Sequence, residues 1–378
     1  MASFQPPTRS EPVSTRGAPE ASVAFTFSLP EVPTISCHAF APGERLLAIC
    51  PNNEEVRIFE ASGAGSFGLA SVLTKHTQLV TGIAWSCDGR LVSVSEDRTA
   101  VVWEPVADDV TSWRSVLVEL RAPRAALCVA WSPNGARFAV GLSSKDVAIC
   151  HYEEALECWV AKKVGDPRHK ASVGTIAWHN SSAFLASGST DGRCMVYDVN
   201  EDGGSDFGKA QVEETAGEWV NAVAFNPSGR TLAFACHDST VRFKLLSDRD
   251  GPVDTVRWSG LPFLRVAFVG DNCLVACGFD YVPVLFRMQL EGRWEVIGSL
   301  DAHLPGPQPS VAASGKRDSF EGAYNHFRKM ASGLSANVDE ASDVGRHTNT
   351  ITGCAALSSS RFSTSGLDGQ VIVWELMR

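Results

Sequence analysis

The chain has 378 residues, 44% of them hydrophobic, and a formal net charge of −10. That balance argues against nucleic acid or an anionic membrane as the main partner, since both reward clustered Lys and Arg. No apolar run approaches the about 18 residues of a membrane span, no N-terminal signal-peptide core is present, and eleven cysteines fit reduced core thiols of an intracellular protein better than a disulfide framework.

Residues 1–24 are rich in Pro, Ser, Ala and Thr without periodicity, so they lack apolar surface to offset ordering entropy and are predicted to be a disordered tail. A transit peptide is disfavoured by Glu11 and Glu20. Beyond the tail, an aromatic residue repeatedly closes an apolar run that leads into a turn: Phe40, Trp85, Trp131, Trp178, Phe225 and Phe268. The gaps are 45, 46, 47, 47 and 43 residues, the period of four-stranded propeller blades.

Within each unit the pattern recurs. VTGIAW alternates as a strand, SCDG turns, LVSVS is the next strand, and EDRTAVVW adds a tight turn and a third. VGTIAW, HNSS, FLASGS and TDGRCMVY repeat the order, as do ITGCAAL, SSS, RFSTSG and LDGQVIVW. An acidic or amide residue marks the inner turn at Asn53, Asp97, Asp146, Asp191, Asp238, Asp280 and Asp368. Six residues later stand Phe59, Trp103, Tyr152, Tyr197, Phe286 and Trp374, with Lys244 beside Phe243 in the remaining unit. Seven marks predict seven blades, and because a lone blade cannot bury both faces, the blades close into a ring. The predicted fold is therefore an all-β, seven-bladed propeller, with blades 1–6 over 25–300 and blade 7 over 347–378. It consumes the chain and leaves no room for a separate catalytic domain.

Three units carry sets that look chemical: His76, Ser93, Asp97 and Trp103; His169, Ser187, Asp191 and Tyr197; His347, Thr364, Asp368 and Trp374. Hydroxyl, imidazole and carboxylate invite a nucleophilic triad, in which the carboxylate orients the base and the base activates the hydroxyl. Repetition favours instead a buried hydrogen-bond chain tying strands to the inner turn, as WD-repeat blades use. Cys273 and Cys277 lack the further ligands of a zinc site, and neither a Walker-type loop nor a dinucleotide fingerprint occurs, so no metal, cofactor or catalytic residue is predicted. Gly203 and Gly204 lie in an acidic run that reads as a solvated connection. Lys162, Lys163, Arg168, His169 and Lys170 form the compact basic stretch, either an ordinary exposed loop or a rim that steers an acidic peptide.

From Phe268 to the matching Leu357 is 89 residues, nearly two periods where one blade is needed. The excess, over 301–346, opens with Pro305, Pro307 and Pro309 and continues into a short amphipathic helix predicted at about 318–332. Asp318 and Glu321 form a capping box, Gly333 closes the C-terminus, and Arg328 and Lys329 suit the dipole there. Phe320, Ala323, Tyr324, Phe327 and Ala331 share one face. So short a helix is marginal alone, and Gly322 costs it about 1 kcal/mol, so it either covers a blade edge or docks into another protein's groove.

The runs ISCHAF, AICPNNEEVRIFE, KHTQLVTGIAW, RAALCVAWSPNGARFAVG, ICHYE, TIAWHNSSAFLASGSTDGRC and FSTSGLDG resemble subunit 1 of the actin-related protein 2/3 complex, the WD-repeat subunit of the actin-branching nucleator. The resemblance spans about 34–376, and CPNNEEV and RAALCVAW are more specific than generic repeat signatures. It implies a non-catalytic scaffold of the cytoplasmic actin cytoskeleton that binds small subunits 4 and 5, sits beside an actin-related protein and helps receive the acidic tail of nucleation-promoting factors. Lys162, Lys163, Arg168 and Lys170 are the cations for that tail. It also implies an insert helix that engages the mother actin filament, here through Phe320, Tyr324, Phe327 and Arg328. Phe40, and the pair Cys158 and Trp159, stand where the family often has Trp and a Trp pair. A WD-repeat adaptor of another assembly, such as a ubiquitin ligase or trafficking scaffold, is the alternative; a hydrolase built on one tetrad is a third.

Overall fold

A computed structural model of the chain describes residues 21–28, 32–63, 65–106, 109–164, 166–200, 206–249, 251–290, 292–300 and 346–377. These form seven four-stranded antiparallel sheets, the blades of a propeller. Blade 1 comprises β2 (Cys37–Phe40), β3 (Leu46–Cys50), β4 (Glu55–Gly63) and β5 (Ser66–Thr74), and blade 2 comprises β6 (Val80–Trp85), β7 (Leu91–Ser95), β8 (Thr99–Val106) and β9 (Asp109–Glu119). Blades 3 to 6 follow in the same order: β10 (Ala126–Trp131) to β13 (Cys158–Val164), β14 (Val173–Trp178) to β17 (Ala210–Thr215), β18 (Val220–Phe225) to β21 (Val253–Arg257), and β22 (Phe263–Phe268) to β25 (Trp294–Ser299).

Blade 7 departs from this order. It holds β26 (Ile351–Ala356), β27 (Arg361–Gly366) and β28 (Gln370–Leu376), and its fourth strand is β1 (Ala21–Ser28), which pairs from Ala21 opposite Leu376 to Ser28 opposite Gln370. Two expectations are thereby corrected. The tail assigned to 1–24 gives way to strand at Ala21, and the first strand among the described residues belongs to the last blade. The physical reason lies in alternation: Val23, Phe25 and Phe27 recur at a period of two, and Phe27 packs edge-on against Phe59 with ring centroids 5.7 Å apart. The two chain ends thus close the ring, leaving no unpaired seam.

Six of the seven inner strands, all but β2, carry an irregularity in register at one place, between Val80 and Gly82, Ala126 and Cys128, Val173 and Thr175, Val220 and Ala222, Phe263 and Arg265, and Ile351 and Gly353. Such a bulge re-aims the intervening side chain. The redirected groups reach the next blade: Thr81 Oγ1 donates to Ala126 O at 2.8 Å, Asn221 Nδ2 to Phe263 O at 2.9 Å, and Thr352 Oγ1 to Ile35 O at 2.6 Å. The periodic aromatic at the strand's far end acts in the opposite direction. Trp85 Nε1 donates to Ala39 O, and Trp178 Nε1 to Ala130 O, both at 3.0 Å in the preceding blade.

Between blades the interior is apolar. Val94 and Val102 of blade 2 cluster with Phe138, Val140 and Trp159 of blade 3, and the second strand of blade 3, β11 (Arg137–Leu142), is buried along its length. Trp131 is the exception among the stitching indoles, since its buried Nε1 meets no acceptor among the described residues while its ring carries the Arg90 guanidinium at 5.0 Å. We expect Trp178→Phe to cost about 1 kcal/mol more than Trp131→Phe, because only the former discards a formed hydrogen bond and strands Ala130 O. Urea titration of both variants checks this, and equal losses would contradict the stitching role.

Candidate interaction surfaces

The three tetrads assemble as hydrogen-bond chains. In blade 2, Trp103 Nε1 donates to Ser93 Oγ at 2.9 Å, Ser93 Oγ meets His76 Nε2 at 2.8 Å, and His76 Nδ1 meets Asp97 Oδ2 at 3.0 Å. Blade 7 repeats the geometry with Trp374 to Thr364 at 2.8 Å, Thr364 to His347 at 2.8 Å and His347 to Asp368 at 3.0 Å. In blade 4, His169 bridges Ser187 at 2.7 Å and Asp191 at 3.0 Å, while Tyr197 Oη donates to Pro167 O at 3.3 Å. Ser93, Ser187 and Thr364 are each 0% exposed, so none of these hydroxyls meets solvent or a substrate.

The carboxylates are held by more than imidazole. Asp97 also accepts from Thr77 N and Thr99 N, Asp191 from Lys170 N and Arg193 N, and Asp368 from Thr348 N and Gln370 N. Burial alone would raise these carboxyls; the donated hydrogen bonds outweigh it and keep all three below the ordinary carboxylate range. Burial dominates at His76 and His169, lowering both despite the adjacent carboxylate. Each set therefore clamps the loop entering the inner strand to the inner turn.

The other four inner turns use different donors, which the sequence pattern did not reveal. Asp280 accepts from Trp258 Nε1 and from Leu261 N, both at 2.8 Å, and Asp238 takes Thr240 with Arg242 and Arg257 nearby. Asn53 Oδ1 accepts from Glu55 N, and Asp146 faces Lys163 at 3.0 Å and Arg168 at 3.5 Å. Lys244, at the aromatic position of blade 5, is 2% exposed and spans to Glu214 Oε1 of blade 4 at 2.9 Å and Gly251 O at 2.6 Å.

The basic stretch divides. Lys162 and Lys163 are neighbours on β13, so they take opposite faces. Lys163 and Arg168 converge on Asp146, and His169 is withdrawn into its tetrad. Lys162 Nζ instead sits 4.0 Å over the Phe207 ring, in an open groove of about 510 Å³ between blades 3 and 4 that Arg137, His151 and Tyr152 also line. Lys170 lends its backbone to Asp191, and its side chain is exposed.

The WD domain, G-beta repeat family matches residues 68–104, 163–198 and 211–243. The chain is 35% identical over 368 residues to actin-related protein 2/3 complex subunit 1B of Arabidopsis thaliana, covering 91% of this chain and 94% of that protein. It is 32% identical to subunit 1A-A of Xenopus laevis over 90% and 94% of the two chains, and 29% identical to subunit 1 of Saccharomyces cerevisiae over 96% and 100%. The chain belongs to the actin-related protein 2/3 complex subunit 1 family.

The repeat matches of this subunit 1 family member explain its strand order. The first runs from within β5, the outer strand of blade 1, through β8, the third strand of blade 2. Repeat and blade are thus one strand out of phase, and the leftover outer place in blade 7 must be filled by β1. The cysteines are all free, and burial pushes the Cys236 thiol up to about 11 and Cys128 up to about 12. Cys273 is half-buried and Cys277 buried beside Cys354, and no metal-binding cluster occurs among the described residues. The predicted insert helix at 318–332, with Phe320, Tyr324, Phe327 and Arg328, lies outside the described residues, as do Gly203 and Gly204.

Proposed function

We propose that this chain is a non-catalytic scaffold subunit of an actin-related protein 2/3 complex, supporting nucleation of branched actin filaments in the cytoplasm. The observation that carries the reading is the 35% identity over 91% of this chain and 94% of a protein named as subunit 1B of that complex, because a match of that reach takes in nearly the whole of both chains. Small subunits 4 and 5 and an actin-related protein are its neighbours, and nucleation-promoting factors bring an acidic tail toward the basic rim at Lys162, Lys163, Arg168 and Lys170. Since Lys163 and Arg168 already face Asp146, Lys162 and Lys170 are the cations left to attract such a tail. Gentle purification of the tagged chain from its own cells, with mass identification of stoichiometric partners, tests the reading. Two actin-related proteins and four smaller subunits are the expected set; a ubiquitin-ligase or trafficking assembly would overturn it.

The insert helix docks on the mother filament through Phe320, Tyr324 and Phe327, with Arg328 beside them. Burying one aromatic anchor contributes about 1.5 to 3 kcal/mol, so Phe327→Asp should lower branching by reconstituted complex about tenfold or more while the propeller stays folded. Unchanged branching would remove the insert from the filament contact.

A further inference from the structure

One rim of the propeller repeats a simple device: the residue preceding the inner strand accepts a backbone hydrogen bond from the residue opening the inner turn. The pairs are Leu79 with Glu96, Ala125 with Ser143, Ser172 with Thr190, Trp219 with His237, Pro262 with Phe279, and Thr350 with Leu367, at 2.8 to 3.5 Å. In blades 2, 3, 4 and 7 these pairs are aliphatic, small or polar. In blade 5 both members carry rings, Trp219 and His237, and in blade 6 Phe279 stands opposite Pro262. Trp219 and His237 rings lie 5.2 Å apart, and His237 and Phe279 rings 6.5 Å apart, so the rings form a continuous row across two blades. Trp219 is 53% exposed, and Leu261, whose N–H donates to Asp280 next to Phe279, is 38% exposed. Asn221 Nδ2, anchored on Phe263 O, also meets His237 Nδ1 at 3.3 Å and fixes the ring. A rigid row of this size held at the surface exposes contiguous apolar area on this rim.

The row leads toward the place where residues 301–345 leave the propeller. Leu300 is buried, and its N–H donates to Pro283 O at 2.9 Å, four residues beyond Phe279. The chain therefore departs beside the turn that carries the end of the aromatic row. Its next residues read DAHLPGPQP, with Pro305, Pro307 and Pro309. Alternating prolines favour the polyproline II conformation, at about 3.1 Å per residue, so five residues in that conformation would reach about 15 Å from Leu300. Leu304 and Pro307, three apart, would share one edge of that helix. Polyproline II leaves its carbonyls without internal partners, and it is recognised by rows of aromatic rings that supply both a flat apolar wall and ring N–H donors. Trp219 Nε1 makes no bond among the described residues and sits in that row, ready to donate.

We propose that Trp219, His237, Phe279 and Leu261 form a docking surface for the chain's own proline-rich segment 304–309. The tether sets a high local concentration, so the contact needs little intrinsic affinity. Docking there fixes the base from which the remainder of 310–345 leaves the propeller, and it does not depend on which protein that remainder meets.

Hydroxyl-radical footprinting of the full chain, read by mass spectrometry, tests the proposal. In the unaltered chain Trp219 and Phe279 should be modified slowly relative to Trp113 of blade 2. In a chain carrying Pro305→Gly, Pro307→Gly and Pro309→Gly their modification should rise severalfold, with Trp113 unchanged. Equal modification of Trp219 in the two chains overturns the proposal, whether the ring proves open in both or covered in both. Protection that persists in the glycine variant and falls on dilution would assign the surface to a second copy.

Discussion

Asp368→Ala should be the most damaging single change in an inner turn, with a loss on the order of 3–5 kcal/mol. Its carboxylate side chain is 3% exposed and accepts from His347 Nδ1 at 3.0 Å, Thr348 N at 2.8 Å and Gln370 N at 3.2 Å. Removing it strands the buried His347 Nδ1 and takes the acceptor from two backbone N–H groups at once, in the blade whose pairing of β1 with β28 closes the ring. Asp146→Ala supplies the contrast. Its partners Lys163 and Arg168 have side chains 35% and 68% exposed, so water replaces much of what they lose, and the expected cost is about 1 kcal/mol. Urea unfolding of the two variants decides the matter: losses of similar size would show that the tetrad adds nothing beyond an exposed ion pair.

The same comparison separates a tie from a triad. A triad hydroxyl must reach substrate, and its loss removes turnover while leaving the fold intact. Thr364 and Ser93 each accept an indole N–H and contact an imidazole with no exposed surface, so what they bind is the blade itself.

Much of this architecture was legible in the sequence because a propeller repeats. The spacing of Trp85, Trp131 and Trp178 and the seven inner-turn residues count the blades, since each blade solves the same burial problem with the same residue types. Outer strands were harder to read: β9 is half-exposed along much of its length, so its hydrophobic alternation is weak. The closing strand was missed for a different reason. Val23, Phe25 and Phe27 alternate clearly, but they pair with residues 371–374, and no local pattern specifies a partner so far along the chain. Likewise the clamp on Asp280 comes from Trp258, and Lys244 reaches Glu214 in another blade. These are choices of packing partner, invisible to a spacing argument centred on histidine. Adjacent cations were also misleading as a group, since alternation along β13 sends Lys162 and Lys163 to different neighbours.

Acid should loosen the junction between blades 1 and 7 well before carboxylates titrate. His38 is buried there, its Nδ1 2.7 Å from Ser365 Oγ and its Nε2 2.8 Å from Ser363 Oγ. Burial, aided by the nearby His347, lowers its pKa to about 3, against an ordinary histidine value near 6.5. Either serine hydroxyl can accept a hydrogen bond from a ring N–H, so hydrogen bonding does not forbid the charged form; lack of water does. With the folded value below the unfolded one, the unfolded chain binds more protons between those limits. Stability is therefore fully present above about pH 6.5 and falls by about 1.4 kcal/mol per unit as pH drops toward 3, or roughly 3 kcal/mol by pH 4.5. His76 and His169, also lowered, act in the same direction. Asp97, Asp191 and Asp368 give a separate contribution, intact above about pH 4 and lost only below it. His38→Gln keeps a hydrogen-bonding side chain without a titrating one, so its urea midpoint should decline less steeply between pH 6.5 and 4.5 than that of the unaltered chain. Parallel slopes would mean that the acid sensitivity arises elsewhere.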